Sequence, residues 1–124
     1  MPVIPAPVTP THELDGTRFT SLATPSRGTR ETAVWTVEIQ PGTPPTPHSL
    51  TREEIFVVLD GRAGVEVDGV RTAARAGDAI VVPPDTEFTL ANDGDAPLRL
   101  LCCQAVGGQA RMPGGAPFTP PWAE

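Results

Sequence analysis

The sequence contains no lysine and no tyrosine, and its 124 residues include only two histidines, two cysteines and four phenylalanines. All nine basic residues are therefore arginines. Without a lysine amine the chain cannot form a Schiff base, and without a tyrosine it has no phenolic acid. Acid-base chemistry then depends on the carboxylates, on the two thiols, or on His12 and His48.

The sequence also lacks long apolar runs and an excess of positive charge. No segment approaches the roughly 18 apolar residues of a membrane span, and the N-terminal MPVIPAPVTPTHELDG has neither the basic start nor the apolar core of a signal peptide. The formal net charge of -6 argues against a nucleic-acid footprint or a basic membrane-binding surface. We therefore expect no nucleic-acid partner, no membrane partner and a cytoplasmic location.

Common catalytic motifs are missing as well. The G-x-S-x-G, Walker, G-x-G-x-x-G and C-x-x-C patterns do not occur, which leaves nucleotide binding and serine hydrolysis without support. Cys102 and Cys103 are adjacent, so on a strand their side chains point to opposite faces and a disulfide between them would be strained. We interpret them as free thiols in a reducing compartment.

The sequence is rich in proline, glycine and short apolar runs. With 16 prolines and 12 glycines, the composition favours one turn-rich β domain over a helical bundle. TAVWTVEIQ alternates as a half-buried strand with Trp35 on its apolar face, whereas the unbroken run in EEIFVVLDG predicts a strand buried on both faces. Asp68-Gly69 predicts a tight hairpin. Further strands are predicted in RFTSLATP, AIVVPP, EFTLAN and LRLLCCQAV, a spacing that indicates a sandwich or barrel.

The two ends of the chain differ in composition from its middle. We assign residues 1–30 to a Pro-rich N-terminal arm and a first strand, and its first 16 residues should be extended because proline disfavours helix. Residues 31–106 form the barrel core. Residues 107–124 form a tail that is too rich in glycine and proline for a regular element, and Phe118 and Trp122 are suited to docking it against the core.

The stretch PGTPPTPHSLTREEIFVVLDG resembles the first of two motifs of the cupin superfamily. In that motif a Pro-Gly pair precedes His-x-His, and a glutamate and then a glycine follow. Pro41-Gly42, His48, Glu54 and Gly61 match these positions. Leu50 stands where the second histidine of the motif belongs.

The stretch GDAIVVPPDTEFTLAN resembles the second motif, and a short hairpin separates the two as in small single-domain cupins. Gly77, Pro83 and Asn92 match. Asp85 replaces the usual glycine, and Phe88 occupies the position of the third metal-binding histidine. The resemblance implies an all-β fold, the cupin double-stranded β-helix or jelly-roll barrel.

The resemblance also bears on cofactors. The complete family site has three histidines and one glutamate, a set that suits Mn, Fe, Ni, Cu or Zn. This chain keeps His48 and Glu54 of that set, and two histidines in all cannot make a three-histidine site in one subunit. The expected cofactor is therefore none, or a divalent metal held weakly by His48 and Glu54 with His12 or a cysteine as third ligand.

The two replaced histidines change the predicted pocket. Residues i and i+2 of a strand share a face, so both motifs should point apolar side chains into the barrel around His48 and Glu54. The candidate substrate-binding residues are Leu50, Phe56, Phe88, Leu90 and Trp35, of which Trp35 is alternatively a core or dimer contact. Such a lining favours a small organic ligand. Desolvation should raise the pKa of Glu54, and an adjacent imidazole would oppose that rise.

Three functions remain open. The favoured one is an enzyme of the lyase, isomerase or cyclase type in which His48 and Glu54 are catalytic and move protons. The second is a metal-dependent oxygenase or isomerase, and the third is a non-catalytic ligand-binding module. A structural role is as well supported for at least one of the two residues, with His48 as a hydrogen-bonded remnant or Glu54 paired to Arg52 or another surface arginine. The resemblance further implies a homodimer, formed by strand pairing or by exchange of the N-terminal arm.

Overall fold

A computed structural model describes residues 2–124, which form eleven β-strands and two short 3₁₀ turns. The strands are β1 (His12–Leu14), β2 (Thr17–Ala23), β3 (Thr32–Ile39), β4 (Ser49–Leu50), β5 (Glu54–Asp60), β6 (Arg62–Val67), β7 (Val70–Arg75), β8 (Ala79–Val82), β9 (Thr89–Asn92), β10 (Leu98–Ala105) and β11 (Ala110–Arg111). The 3₁₀ turns cover Pro25–Arg27 and Pro121–Ala123. The all-β prediction is confirmed. Within residues 2–124, no helix has the length and apolar character needed to span a membrane.

The strands lie on two sides of one core. Six of them form an antiparallel sheet in the order β1-β2-β3-β10-β5-β8, while β7-β6-β9 and β4-β11 make up the other side. An isolated bridge between His48 and Phe88 joins the segments that lead into β4 and β9. The backbone N–H of each residue donates to the carbonyl of the other, at 3.1 Å and 2.9 Å. This bridge makes the second side continuous, so the strands enclose a barrel.

Period-two alternation explains which side chains fill the barrel. In β3 the buried residues are Ala33, Trp35 and Val37, on the apolar face that the alternation predicts, and Ile39 at the end of that face is half-buried. In β10 every second residue from Leu98 onward is buried. Cys102 belongs to that buried set, whereas Cys103 is half-buried on the opposite face. Both thiols are free. The prediction of two free thiols on opposite faces is confirmed.

One strand is less buried than its sequence predicts. Glu54 and Val58 face the core and are buried, but Ile55 and Val57 are only half-buried and Leu59 is 42% exposed. The prediction that β5 is buried on both faces is therefore wrong. A strand is covered on both sides only where a second layer packs on its sheet, and residues 2–124 contain no helix long enough to form one.

The ends of the chain are more ordered than predicted. His12–Leu14 pairs with β2 and becomes the edge of the large sheet, so this part of the predicted arm is a strand. In the tail, β11 pairs with β4, and Ala110 bridges to Phe118. Trp122 stacks on Phe19 with ring centroids 3.7 Å apart. The tail thus has short regular elements after all, because each of them is held by a partner in the barrel.

Candidate active site

Glu54 places a carboxyl group inside the barrel. It is the first residue of β5 and lies directly opposite Val82 of β8 and Gln104 of β10. Residues directly opposite each other on paired strands share a face, and all three are buried, with Glu54 only 6% exposed. Among residues 2–124, no hydrogen bond or ion pair joins the Glu54 carboxyl group to another residue, so neither Arg52 nor another arginine pairs with it as the structural alternative predicted. Its oxygens are not among the fully buried side-chain atoms that lack a partner.

Burial controls the protonation of this carboxyl group. It raises the pKa of Glu54 from 4.5 to about 8, because a charged carboxylate loses its hydration in the interior. The predicted rise is confirmed, and no imidazole charge opposes it. Burial also raises the pKa of the Cys102 thiol, and the charges of Glu54 and Cys103 raise it further. At neutral pH Glu54 is therefore mostly a neutral acid that can donate a proton or a hydrogen bond.

His48 enters the site from the opposite side of the barrel. It is half-buried, and its ring centroid lies 4.5 Å from that of Phe88. The Nδ1 atom is 2.9 Å from the carbonyl oxygen of Thr46. A carbonyl oxygen only accepts, so Nδ1 carries the proton and a neutral ring keeps its lone pair on Nε2. His48 therefore offers one basic nitrogen.

The structure does not join His48 to Glu54 directly. Glu54 belongs to the six-stranded sheet and His48 to the opposite side of the barrel. Within residues 2–124, no hydrogen bond or ion pair connects them. Glu53, one residue before Glu54, is exposed as predicted. Their action as an acid-base pair stays a prediction.

The predicted substrate-binding residues are all part of the barrel interior. Buried members of the apolar core are Trp35, Leu50, Phe56 and Phe88, and Leu90 is partly buried against it. The rings of Phe56 and Phe88 lie 5.9 Å apart. Two surface depressions lie elsewhere, one of about 100 Å³ on the outer face of the large sheet and one of about 460 Å³ at the β1–β2 turn. Neither is lined by His48, by Glu54 or by the five predicted substrate-binding residues.

The donor set does not fit a resident metal ion. Where the family resemblance calls for two further histidines, Leu50 and Phe88 are 3% and 2% exposed and present only hydrocarbon. In the part of the chain that the structure describes, no three His, Cys, Asp or Glu side chains form a group able to hold a metal. His12 lies near Trp122, at a centroid distance of 6.5 Å, and its Nδ1 is within 2.9 Å of the Thr11 hydroxyl.

Sequence reasoning missed Gln104 as a component of the site. Its side chain is buried beside Glu54, and its Nε2 donates to the Gly108 carbonyl at 3.2 Å. The alternation in LRLLCCQAV indicates which face Gln104 occupies. It does not indicate which strand lies next to β10, and so the proximity of Gln104 to Glu54 depends on the tertiary pairing.

Comparisons with known proteins agree with this architecture. The family model described as "Cupin domain" matches residues 35–103. An uncharacterised protein of Methanocaldococcus jannaschii is 40% identical over 53 residues, which are 43% of this chain and 42% of that protein, so the chain matches less than half of its curated relative.

Solved structures show the same fold at lower identity. A cupin-like protein of Thermotoga maritima is 22% identical, with a TM-score of 0.68, and the alignment covers 77% of this chain and 74% of that chain. Oxalate decarboxylase of Bacillus subtilis, a protein with Mn(II) centres, is 23% identical with a TM-score of 0.67. That alignment covers 79% of this chain but 28% of the decarboxylase.

Proposed function

Since the chain belongs to the cupin domain family, we propose that it is a small-molecule enzyme of the lyase, isomerase or cyclase type. In this proposal the Glu54 carboxyl group gives a proton to a small organic substrate inside the barrel. His48 Nε2 takes a proton from another position of the same molecule. Neither step requires a resident metal ion.

One observation carries the proposal, the unpartnered carboxyl group of Glu54 on the inward face of β5. The Glu54 oxygens are not among the fully buried, unpartnered side-chain atoms of residues 2–124, where Thr29 Oγ1 is found instead. They therefore keep some accessible surface, and a ligand can accept a hydrogen bond from the neutral carboxyl group. A carboxyl pKa of about 8 also suits a general acid, because proton transfer is most effective when the pKa lies near the working pH.

The filled interior favours a second candidate, a binding module without turnover. Leu50, Phe56 and Phe88 belong to one buried apolar cluster, in which the Phe56 and Phe88 rings lie 5.9 Å apart. A ligand could bind by displacing these side chains without any proton transfer. In both candidates we propose a small organic molecule as partner, no nucleic acid, no membrane and a cytoplasmic location.

The test is an untargeted conversion assay. The full chain is incubated with a pooled extract of small metabolites, and mass spectrometry follows each component. The wild type and the Glu53→Gln control should deplete the same component, giving an isomer of equal mass or two fragments. Glu54→Gln should lower this rate by roughly 100-fold or more, the usual contribution of a general acid, and His48→Ala should also lower it.

Two results would overturn the proposal. Equal turnover by Glu54→Gln and the wild type would remove Glu54 from the chemistry. Saturable binding of a component, with no product at any enzyme concentration, would establish the binding module instead. Elemental mass spectrometry of the same preparation, with Glu54→Ala as comparison, tests the metal-dependent alternative, which requires near-stoichiometric metal that the variant loses.

A further inference from the structure

The C-terminal tail, residues 107–124, crosses the end of the barrel where Glu54 lies. It begins just after β10, and its second residue, Gly108, is buried. The Gly108 carbonyl oxygen accepts the hydrogen bond that Gln104 Nε2 donates. Gln104 is buried on the inward face and lies directly opposite Glu54. The start of the tail is therefore bound to the side chain next to Glu54.

The tail also completes the wall of the barrel on the side opposite the large sheet. The Thr51 backbone N–H donates to the Gln109 carbonyl oxygen at 2.9 Å, and the Gln109 N–H donates to Thr51 Oγ1 at 2.9 Å. One residue further along, Ala110 pairs with Leu50, and both are buried in the apolar core. This part of the tail therefore separates the barrel interior from solvent.

The far end of the tail is held against β2 and the turn that follows it. Trp122 stacks on Phe19 with ring centroids 3.7 Å apart, and its carbonyl oxygen accepts a hydrogen bond from Ser21 Oγ at 2.7 Å. Ser26 Oγ donates to the carbonyl oxygen of Glu124, also at 2.7 Å. We call these three contacts the C-terminal anchor.

Between β10 and the C-terminal anchor, the tail has few bonds to the barrel. β11 pairs with β4 over two residues, whereas β10 pairs with β3 over eight. Residues 112–118 are all exposed. Gly107, at the start of the tail, is exposed and has a φ of +91°, which glycine adopts readily. Segments with little buried surface and few backbone bonds open at a lower free energy than core strands.

One ion pair joins the tail to the second motif. Arg111 Nη1 of β11 lies 3.1 Å from Asp85 Oδ1. Asp85 stands where the family motif has a glycine, and it has a φ of +58°, which is uncommon for a residue other than glycine. Its backbone N–H donates to the Leu50 carbonyl oxygen at 2.7 Å. The aspartate therefore gives the tail a charged partner beside β4.

We propose that the C-terminal tail is a lid that opens to admit a small molecule to Glu54 and then closes over it. A close-packed interior admits a ligand only when part of its wall moves away. Opening separates β11 from β4 and releases the C-terminal anchor, while β3, β10 and β5 stay paired. It also frees the Gln104 carboxamide to bond to the ligand. The proposal rests on the proposed function in taking the barrel interior as the binding site.

Carboxyl labelling of the full chain measures how often Glu54 meets solvent. The reagents are a water-soluble carbodiimide and a small amine, and tandem mass spectrometry separates the label on Glu54 from that on the exposed Glu53. Trp122→Ala removes the stack on Phe19. It should raise the rate of Glu54 labelling by about ten-fold or more and leave the rate at Glu53 unchanged.

Two further variants test the lid without disturbing the core. Arg111→Gln removes the ion pair with Asp85, whose side chain is 70% exposed, and should raise Glu54 labelling by about two- to five-fold because exposed ion pairs are weak. Phe118→Ala is the matched control in the same tail. The Phe118 ring is 42% exposed, and the residue bonds to Ala110 through its backbone. This variant should label as the wild type does.

Hydrogen exchange of the same variants shows which part of the chain opens. In Trp122→Ala and Arg111→Gln the amides of residues 109–111 should exchange faster, whereas β3 and β10 should keep their wild-type rates. Glu54 labelling at the wild-type rate in both variants, or an increase matched by faster exchange of β3 and β10, would overturn the proposal. Neither measurement uses a substrate, so a chain that converts a metabolite but shows no such opening would refute the lid alone.

Discussion

Glu53 and Glu54 are adjacent and chemically identical, yet they have opposite environments. Successive residues of an extended strand point to opposite faces, so Glu53 meets solvent while Glu54 enters the barrel. Sequence alternation predicted which of the two is the interior residue. It did not predict that Glu54 would have no partner there, because Gln104 and Val82 are brought beside it only by strand pairing.

The buried state of Glu54 should make the stability of the protein depend on pH. The pKa of Glu54 is about 8 in the folded protein and 4.5 without burial, so between these values the folded state binds more protons. Stability is then fully present below about pH 4.5 and falls as the pH rises toward 8. Each unit of pKa difference is worth about 1.4 kcal/mol, so ionisation of Glu54 costs several kcal/mol.

Urea unfolding between pH 5 and 8 measures this dependence. Glu54→Gln, which cannot ionise, should equal the wild type near pH 5 and exceed it in stability by several kcal/mol at pH 8. Glu53→Gln should follow the wild type at every pH because Glu53 is exposed. If the free energy of unfolding changed with pH in the same way for the wild type and for Glu54→Gln, Glu54 would not be buried in solution.

The connection between β5 and β6 explains why a glycine occupies position 61. Gly61 has a φ of +87°, in the left-handed region where a side chain costs about 1–2 kcal/mol. A Cβ atom at this position would lie 2.8 Å from the Pro97 carbonyl oxygen and 3.0 Å from the Leu98 Cα. The first motif therefore has a glycine here because the turn after β5 passes close to the backbone of Pro97 and Leu98.

Gly61→Ala should destabilise the protein by about 2–4 kcal/mol, since the strained φ and the backbone contact both contribute. Gly77→Ala is the matched control. Gly77 also has a positive φ, of +95°, but no atom lies within 4 Å of the position that a Cβ would take there. The free energy of unfolding of Gly77→Ala should fall by only about 1–2 kcal/mol, the cost of a side chain at a positive φ angle. Equal urea midpoints for the two variants would contradict the close approach at Gly61.

In the whole molecule, residues far apart in sequence converge on the barrel interior. Leu50 comes from β4, Phe88 from the segment before β9 and Glu54 from β5, while His48 bridges to Phe88 across the two motifs. Leu50 and Phe88, at the positions of two histidines in the family motif, are buried in the apolar core. The barrel interior therefore carries hydrocarbon at two positions where the motif has metal ligands.

Restoring the two imidazoles should create a metal site. Leu50→His/Phe88→His adds two nitrogen donors to His48 and Glu54, and the ring of residue 88 already lies 4.5 Å from that of His48. We expect the double variant to bind Ni²⁺ or Zn²⁺ with one ion per chain in titration calorimetry. Without metal it should be less stable by several kcal/mol, because two buried apolar side chains are lost.

Adding His48→Ala to the double variant is the control for this site. Removal of one ligand should weaken binding by at least about ten-fold, whereas metal should raise the unfolding temperature of the double variant only. Binding by the double variant no tighter than by the wild type would mean that the four positions do not share one site.

The sequence by itself determined the features that depend on near neighbours along the chain. The Asp68-Gly69 hairpin has positive φ at both residues, 51° and 75°, as the turn chemistry requires. Alternation identified the buried face of β3, and motif spacing identified the cupin barrel. These features are local because each depends on backbone preference or on a period of two residues.

Only the tertiary structure decided the features that depend on which strands lie side by side. The pairing of β10 with β5 places Gln104 beside Glu54 on the inside and brings Arg99 opposite Asp60 on the outside. Tertiary packing also decided three other features. They are the half-exposed outer face of β5, the edge strand His12–Leu14 and the docking of Trp122 on Phe19. Alternation specifies the faces of one strand, but contacts between distant segments follow from the packing that buries the most apolar surface across the whole chain.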